Sequence, residues 1–306
     1  MKTSDFVTWH SEPEFQDRPL LLHAFSGFVD AGSGVRLAVD HLLSTLDHQL
    51  IATFNPDAIV DYRARRPRMT YVRDHFASVD ISTVTLHRVT DAHGSSFLLL
   101  VGPEPDYQWQ MFIETVLEIT RRFDVSKAIG LAAIPWPIPH TRPLGVTVHG
   151  SEPALVAGYP SLVGEIEVPG HVGALLELRL GEAGIPSMGV TAQVPHYLVQ
   201  FEYPRAAEVL LAHVSQVSGL DLPTAAFAPA AAQAEAQVSA QMTGNDEFAT
   251  VVSALEQQYD QVMSAVQPSA GVPLAPGGQV PSGDEIAAQV EAFLLAMDSD
   301  EPKDAD

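Results

Sequence analysis

The 306-residue chain has no cysteine. That removes disulfide frameworks, thiolate nucleophiles and cysteine zinc sites, and it suits a reducing compartment. Basic residues are scarce. Sixteen lysines and arginines stand against 38 acids, for a formal net charge of −22. So anionic a surface argues against nucleic acid and against anionic lipid as partners. No apolar run approaches the roughly 20 residues that a membrane-spanning helix needs. Met1 to Pro19 is polar and acidic, without the apolar core of a signal peptide. The expectation is a soluble cytoplasmic protein. Catalytic signatures are missing as well. There is no His-Glu-x-x-His pair and no Gly-x-Ser-x-Gly elbow, and the 12 histidines show no metal-type pairing with carboxylates. No metal and no cofactor is expected, and the chain reads more as a non-enzyme than as an enzyme.

What is present is an alternation of strands and helices. Hydrophobic residues make up 46% of the chain, enough for one large or two modest cores. Leu20 to Phe25 is a buried strand, followed by a turn with Gly27, Gly32 and Gly34. Val35, Val39, Leu42 and Leu46 then form one apolar helix stripe. Further strands are expected at Leu50–Phe54, Val79–Val89, Ser96–Val101, Ala128–Ile134, Val146–His149 and Ser187–Val194. Glu165 and Glu167 are read as solvent-facing positions of one more strand. Helices are expected from a cap at Asp106 to Arg122, over Gly170–Leu180, and from Pro204 to Gly219. This order predicts an α/β fold, a three-layer α/β/α sandwich with a mostly parallel sheet.

The composition changes after residue 219. Residues 206–306 hold one basic residue, Lys303, against 15 acids. Residues 1–219 therefore read as the α/β core domain and 220–297 as a helical extension, with a Pro/Gly linker at 268–283. Residues 298–306 read as an acidic disordered tail. Within the extension, Phe248, Val252, Leu255, Tyr259, Val262 and Val266 repeat at coiled-coil spacing, and Ile286, Val290, Phe293 and Met297 form a second stripe. Such stripes bury either on the chain's own body or on another subunit.

Four groups of polar residues are candidates for function. Gly27-Phe-Val-Asp-Ala-Gly32-Ser33 has the spacing of a phosphate loop but no lysine before its serine. Asp30, in its place, suits a ribose hydroxyl, a cation or a partner; the plainer and preferred reading is a helix-cap carboxylate. Arg63, Arg65, Arg66 and Arg68 form either a site for anions and acidic partners or ion pairs with Asp57 and Asp61. The residues leave both open. His140, Thr141 and Arg142 follow the proposed central strand, where ligands collect in α/β sheets. His140 is read as a hydrogen-bonded corner in preference to a general base, and His196 and Tyr197 likewise.

Four segments occur in order: Phe25-Ser-Gly-Phe-Val-Asp-Ala-Gly32, Asp61-Tyr-Arg-Ala-Arg-Arg-Pro67, Ile134-Pro-Trp-Pro-Ile-Pro-His-Thr-Arg-Pro143 and Val194-Pro-His-Tyr-Leu198. In these the chain resembles the proteasome assembly chaperone 2 family, actinobacterial branch, over residues 15–220. The resemblance implies an α/β/α fold similar to nucleoside phosphorylases and related hydrolases, and it implies self-association. Eukaryotic members are non-catalytic and assemble proteasome rings as heterodimers. No agreed catalytic set exists to carry over. Two functions are therefore weighed. The first is a non-catalytic scaffold that forms homo-oligomers, a trimer among them, or binds another protein. The second is a phosphorylase- or hydrolase-like enzyme or small-molecule binder, with Asp30, Arg63, Arg66, His140 and Arg142 in one pocket.

Overall fold

The computed structural model describes residues 6–159, 164–242 and 245–265. Val266, the linker at 268–283, the stripe at Ile286–Met297 and the tail at 298–306 lie outside the described residues. In chain order the elements begin with β1 (Val7–Trp9), β2 (Leu20–Ser26), α1 (Gly34–Thr45), β3 (His48–Phe54) and the single turn α2 (Pro56–Ile59). Next come β4 (Arg68–Val72), β5 (His75–Asp80), β6 (Thr85–Thr90), β7 (Ser96–Pro103) and α3 (Trp109–Arg122). The chain continues through β8 (Lys127–Trp136), β9 (Val146–Gly150), α4 (Val172–Glu182) and β10 (Ser187–Pro195). It closes with α5 (Pro204–Ser218), α6 (Phe227–Met242) and α7 (Asp246–Ala265).

Eight strands form one sheet in the order β1-β3-β6-β7-β2-β8-β10-β9. The central four, β7-β2-β8-β10, run parallel, and the outer pairings are antiparallel. The parallel expectation thus describes the centre of a mixed sheet. Side chains alternate across it, as a two-residue period requires. On β2, Leu22 and Ala24 join the core under α1 and α5, while Leu21 and Phe25 join the core under α3 and α4. Phe97, Leu99 and Val101 of β7 face the first core, and Leu98 and Leu100 the second. Helices on both faces complete the three layers.

Several elements differ from the sequence reading. The expected strand Val79–Val89 is two strands, because β5 pairs only with β4 whereas β6 pairs with β3 and β7. The chain changes partners across residues 81–84. Asp106 does not cap α3. Its carboxylate accepts the Asp61 amide at 2.6 Å and pairs with Arg65, and α3 starts after Gln108 in a left-handed conformation. Glu165 and Glu167 lie in irregular, exposed chain. Proline does not keep the whole Pro135–Pro143 loop out of the sheet, since β8 runs on through Pro135 to Trp136. Three elements were not foreseen: the edge strand β1, the single turn α2 and the hairpin strand β4.

One row across the sheet explains how α4 sits close to it. His23, Gly130, Gly189 and His149 are consecutive partners on β2, β8, β10 and β9. The His23 ring lies over Gly130 and the His149 ring over Gly189. His149 Nδ1 meets Glu177 Oε1 of α4 at 2.9 Å. Burial pushes the His23 imidazole down to about 4, so it is neutral at pH 7. A Cβ at Gly130 would stand 2.5 Å from His23 Cε1. Gly130→Ala is therefore expected to cost about 2–3 kcal/mol through overpacking. Gly164→Ala, which meets nothing within 4 Å, is expected to stay within about 0.5 kcal/mol of wild type. Urea unfolding midpoints check both.

Candidate functional site

The glycine turn after β2 joins segments rather than cradling a ligand. Gly32 has φ +64°, which a side chain would strain. Its N–H donates to the Val199 carbonyl, and its own carbonyl accepts the Tyr203 N–H at 2.8 Å. Asp30 Oδ1 accepts the Val35 N–H at 2.7 Å and the Arg36 N–H at 3.4 Å, and so caps α1. Asp30 also bridges Ala133 of β8. Burial pushes its carboxyl up to about 6 from 3.8, against the pull of those two amides and of Arg36.

The proline-rich loop is a corner closed by the end of the chain. His140 is buried. Its N–H donates to the Tyr197 hydroxyl at 2.7 Å. That hydroxyl lies 2.9 Å from His140 Nδ1, and Nε2 lies 3.1 Å from Ser239 Oγ on α6. The consistent arrangement has Tyr197 O–H donating to Nδ1 and Nε2–H donating to Ser239, whose hydroxyl donates to the Glu235 carbonyl. Burial lowers the His140 pKa, against the opposing pull of Glu235 and Glu256. With both ring nitrogens engaged, His140 has no lone pair free for general-base work. His196 stands exposed beside it, its ring edge-on to Tyr197.

Arg142 and Thr141 reach α7. The Arg142 guanidinium donates Nε to Asp260 Oδ1 at 2.8 Å and Nη2 to Asp260 Oδ2 at 2.7 Å. Its Nη1 meets Glu256 at 3.3 Å, and the Thr141 hydroxyl donates to the same carboxylate. Tyr259 O–H donates to the Pro143 carbonyl at 3.1 Å, and its ring packs with Ile138 while Val262 packs alongside. Phe248 meets the Tyr197 ring edge-on at 5.2 Å. Val252 and Leu255 are buried too. The described part of the 248–266 stripe is thus covered by the chain's own body, which accounts for its apolar spacing without a second copy. Across residue 219, α5 and α6 pack together.

The arginine loop divides. Arg65 pairs with Asp106, and its Nη2 donates to the Glu104 carbonyl. Arg63 is exposed, and its backbone N–H donates to Asp61 Oδ1 at 2.8 Å. Arg66 and Arg68 line a cavity of about 720 Å³ with Arg36, Ser26, Ser82 and Thr83. The five-residue pocket expected from the sequence is not formed. Of Asp30, Arg63, Arg66, His140 and Arg142, only Arg66 faces this cavity. Asp30 is committed to the α1 amides, His140 is buried against α6, and Arg142 is paired with carboxylates of α7. Sequence reading missed Arg36 and the Ser82-Thr83 pair. The signal available was that Arg36 follows the glycine turn by one helical turn and so stands near the strand ends. Among the described residues no group of three or more His, Asp or Glu is placed to hold a metal. No helix among them is long and apolar enough to cross a membrane.

The family model for the PAC2 family matches residues 24–242. The chain belongs to the PAC2 family. Among solved structures, the Mycobacterium tuberculosis protein of unknown function Rv2714 is 41% identical, with a TM-score of 0.80 over 85% of this chain and 90% of that one. A protein of unknown function from Corynebacterium glutamicum is 35% identical, with a TM-score of 0.79 over 85% of this chain and 99% of that one. The Mycobacterium tuberculosis proteasome-assembly chaperone homologue Rv2125 is 25% identical, with a TM-score of 0.71 over 76% of this chain and 99% of that one. No curated protein matches the chain. The match to the PAC2 family runs from within β2 to the end of α6. The helix that closes the His140 corner, α7, lies beyond it.

The raised Asp30 pKa stabilises the fold below pH 4, and that contribution is lost as pH rises through about 6. Asp30→Asn keeps an oxygen for the Val35 amide and removes the charge. It is expected to be more stable than wild type above pH 6, with the gap closing toward pH 4, as thermal melts across this range will show. Tyr259→Ala is expected to cost about 3 kcal/mol. Its α7 amides should exchange hydrogen faster while those of β8 keep their protection. Arg142→Ala, with partners more open to water, should loosen α7 less.

Proposed function

We propose that this PAC2-family protein is a non-catalytic, self-associating scaffold of the assembly-chaperone type. The observation that carries this reading is the β4–β5 hairpin. Every residue of both strands is exposed. Met69, Tyr71 and Phe76 are 53%, 59% and 65% exposed, and Val79 is also exposed. Tyr71 and Phe76 meet edge-on at 5.1 Å, yet β4 and β5 form a sheet of their own. A two-stranded hairpin is marginal in water by itself. One that holds several large apolar side chains in solvent gains its burial from another chain.

Charge favours an acidic partner surface. The hairpin and the loop before it carry Arg63, Arg66, Arg68 and Arg73 in a chain of net charge −22. A second copy of this chain offers such a surface, so a homo-oligomer, a trimer among the options, is the first partner, and another protein the second. The kinship with a proteasome-assembly chaperone homologue fits a protein that works by contact. The absence of cysteine and the acidic surface suit the cytoplasm.

Sedimentation of the full chain at micromolar concentration tests this. Wild type is expected above the monomer mass, and Tyr71→Ser with Phe76→Ser is expected to shift it to monomer with an unchanged far-ultraviolet spectrum. A wild-type monomer overturns the homo-oligomer.

A further inference from the structure

The cavity behind the hairpin has a chemistry of its own. Four guanidinium groups, from Arg36, Arg65, Arg66 and Arg68, line one space of about 720 Å³. They are a quarter of the 16 basic residues in an acidic chain. Two of them have internal partners. Arg36 pairs with Asp40 and Glu202, and Arg65 pairs with Asp106. Arg66 and Arg68 have no carboxylate within 4.0 Å among the described residues, and neither side chain forms a hydrogen bond there. Asp80, which also lines the cavity, stands opposite Arg68 in the β4–β5 register without an ion pair. Asp40 is occupied by Arg36.

The two free arginines are held at a defined spacing. Pro67 lies between them and fixes its own backbone φ, and both side chains are exposed and line the cavity. The Ser26 and Ser82 hydroxyls also border the cavity, and neither has a protein partner among the described residues. Apolar residues line the cavity too: Val35 and Val39 from α1, alongside Arg36 and Asp40 of the same helix, with Val60, Val101 and Tyr62. Forked guanidinium donors plus hydroxyl donors match the several oxygens of a phosphate. The apolar residues and the volume match a body of nucleotide size.

We propose that this cavity binds a phosphate monoester, with Arg66 and Arg68 holding the phosphate and the apolar residues covering the body. The site is distinguishable from the hairpin contact, because neither Tyr71 nor Phe76 lines it, although Arg66 and Arg68 stand near both.

Isothermal titration of the full chain with inorganic phosphate, adenosine monophosphate and citrate tests the proposal. Both phosphate probes are expected to bind saturably, the ester more tightly. Arg66→Ala and Arg68→Ala are each expected to weaken the ester by about tenfold or more, Arg66→Lys by less. Arg63→Ala, outside the cavity, should leave binding unchanged. The Tyr71→Ser with Phe76→Ser protein should still bind the ester, which separates this site from the hairpin contact. Absence of heat with both phosphate probes overturns the site. So does ester binding that survives both alanine variants, or citrate binding as tightly as the ester.

Discussion

A buried imidazole is stabilised when each nitrogen finds a partner, and His140 obtains its partners from segments far apart in sequence. Tyr197 lies 57 residues away and Ser239 lies 99 residues away. A polar group left unpaired in such a place would cost about 1–3 kcal/mol. That requirement fixes α6 against the ends of β8 and β10. Arg142 and Thr141, the next residues along, then meet Glu256 and Asp260 on α7. The carboxyl edge of the sheet at β8 and β10 is thereby closed by the chain itself. The position where α/β proteins usually keep a ligand is filled with helix.

The β3, β6 and β7 side of the sheet is built on the opposite principle. There the chain leaves the body at Arg68, returns at Asp80, and shelters a cavity at the base of the hairpin. The chain's scarce cations gather on this side, and the large exposed apolar residues of the hairpin lie close to them in sequence. Acids dominate the rest of the chain, so self-repulsion favours a solvated surface everywhere except here. Residues 60–83 therefore form both the wall of a polar cavity and an apolar arm. The two differ in the groups they present: forked donors inside, aromatic rings outside.

The elements with strong periodicity were legible. β2, β8 and β10 read as buried strands because both of their faces are covered and their residues are apolar or small. α5 was bounded by Pro204 and Gly219, and both act as expected, with Gly219 left-handed at φ +77°. Asn245 caps α7, its side chain accepting the Phe248 N–H. Asp106 misled because a carboxylate before a helix has several amides in reach, and the Asp61 amide and Arg65 are the ones it meets. The segment from Val79 to Val89 misled because β propensity does not record a change of partner strand. The hairpin was not legible since β4 is only five residues long, and its alternating Met69 and Tyr71 do not record which strand they pair with.

The sequence by itself determined the strands and helices of strong periodicity, β2, β8, β10 and α5 among them, that the glycine turn lacks the lysine of a triphosphate loop, and that the 248–266 stripe must be covered. These are local matters of periodicity, residue type and backbone freedom, each settled within one or two turns of chain. Only the tertiary structure decided what each polar group does. Asp30 became a cap, His140 a corner and Arg142 a clasp on Asp260, 118 residues away, while Arg66 alone of the expected five reached a cavity. Ion pairs and hydrogen bonds are short-ranged and directional. Their partners are therefore set by which strands lie side by side, and no spacing within a single segment records that order.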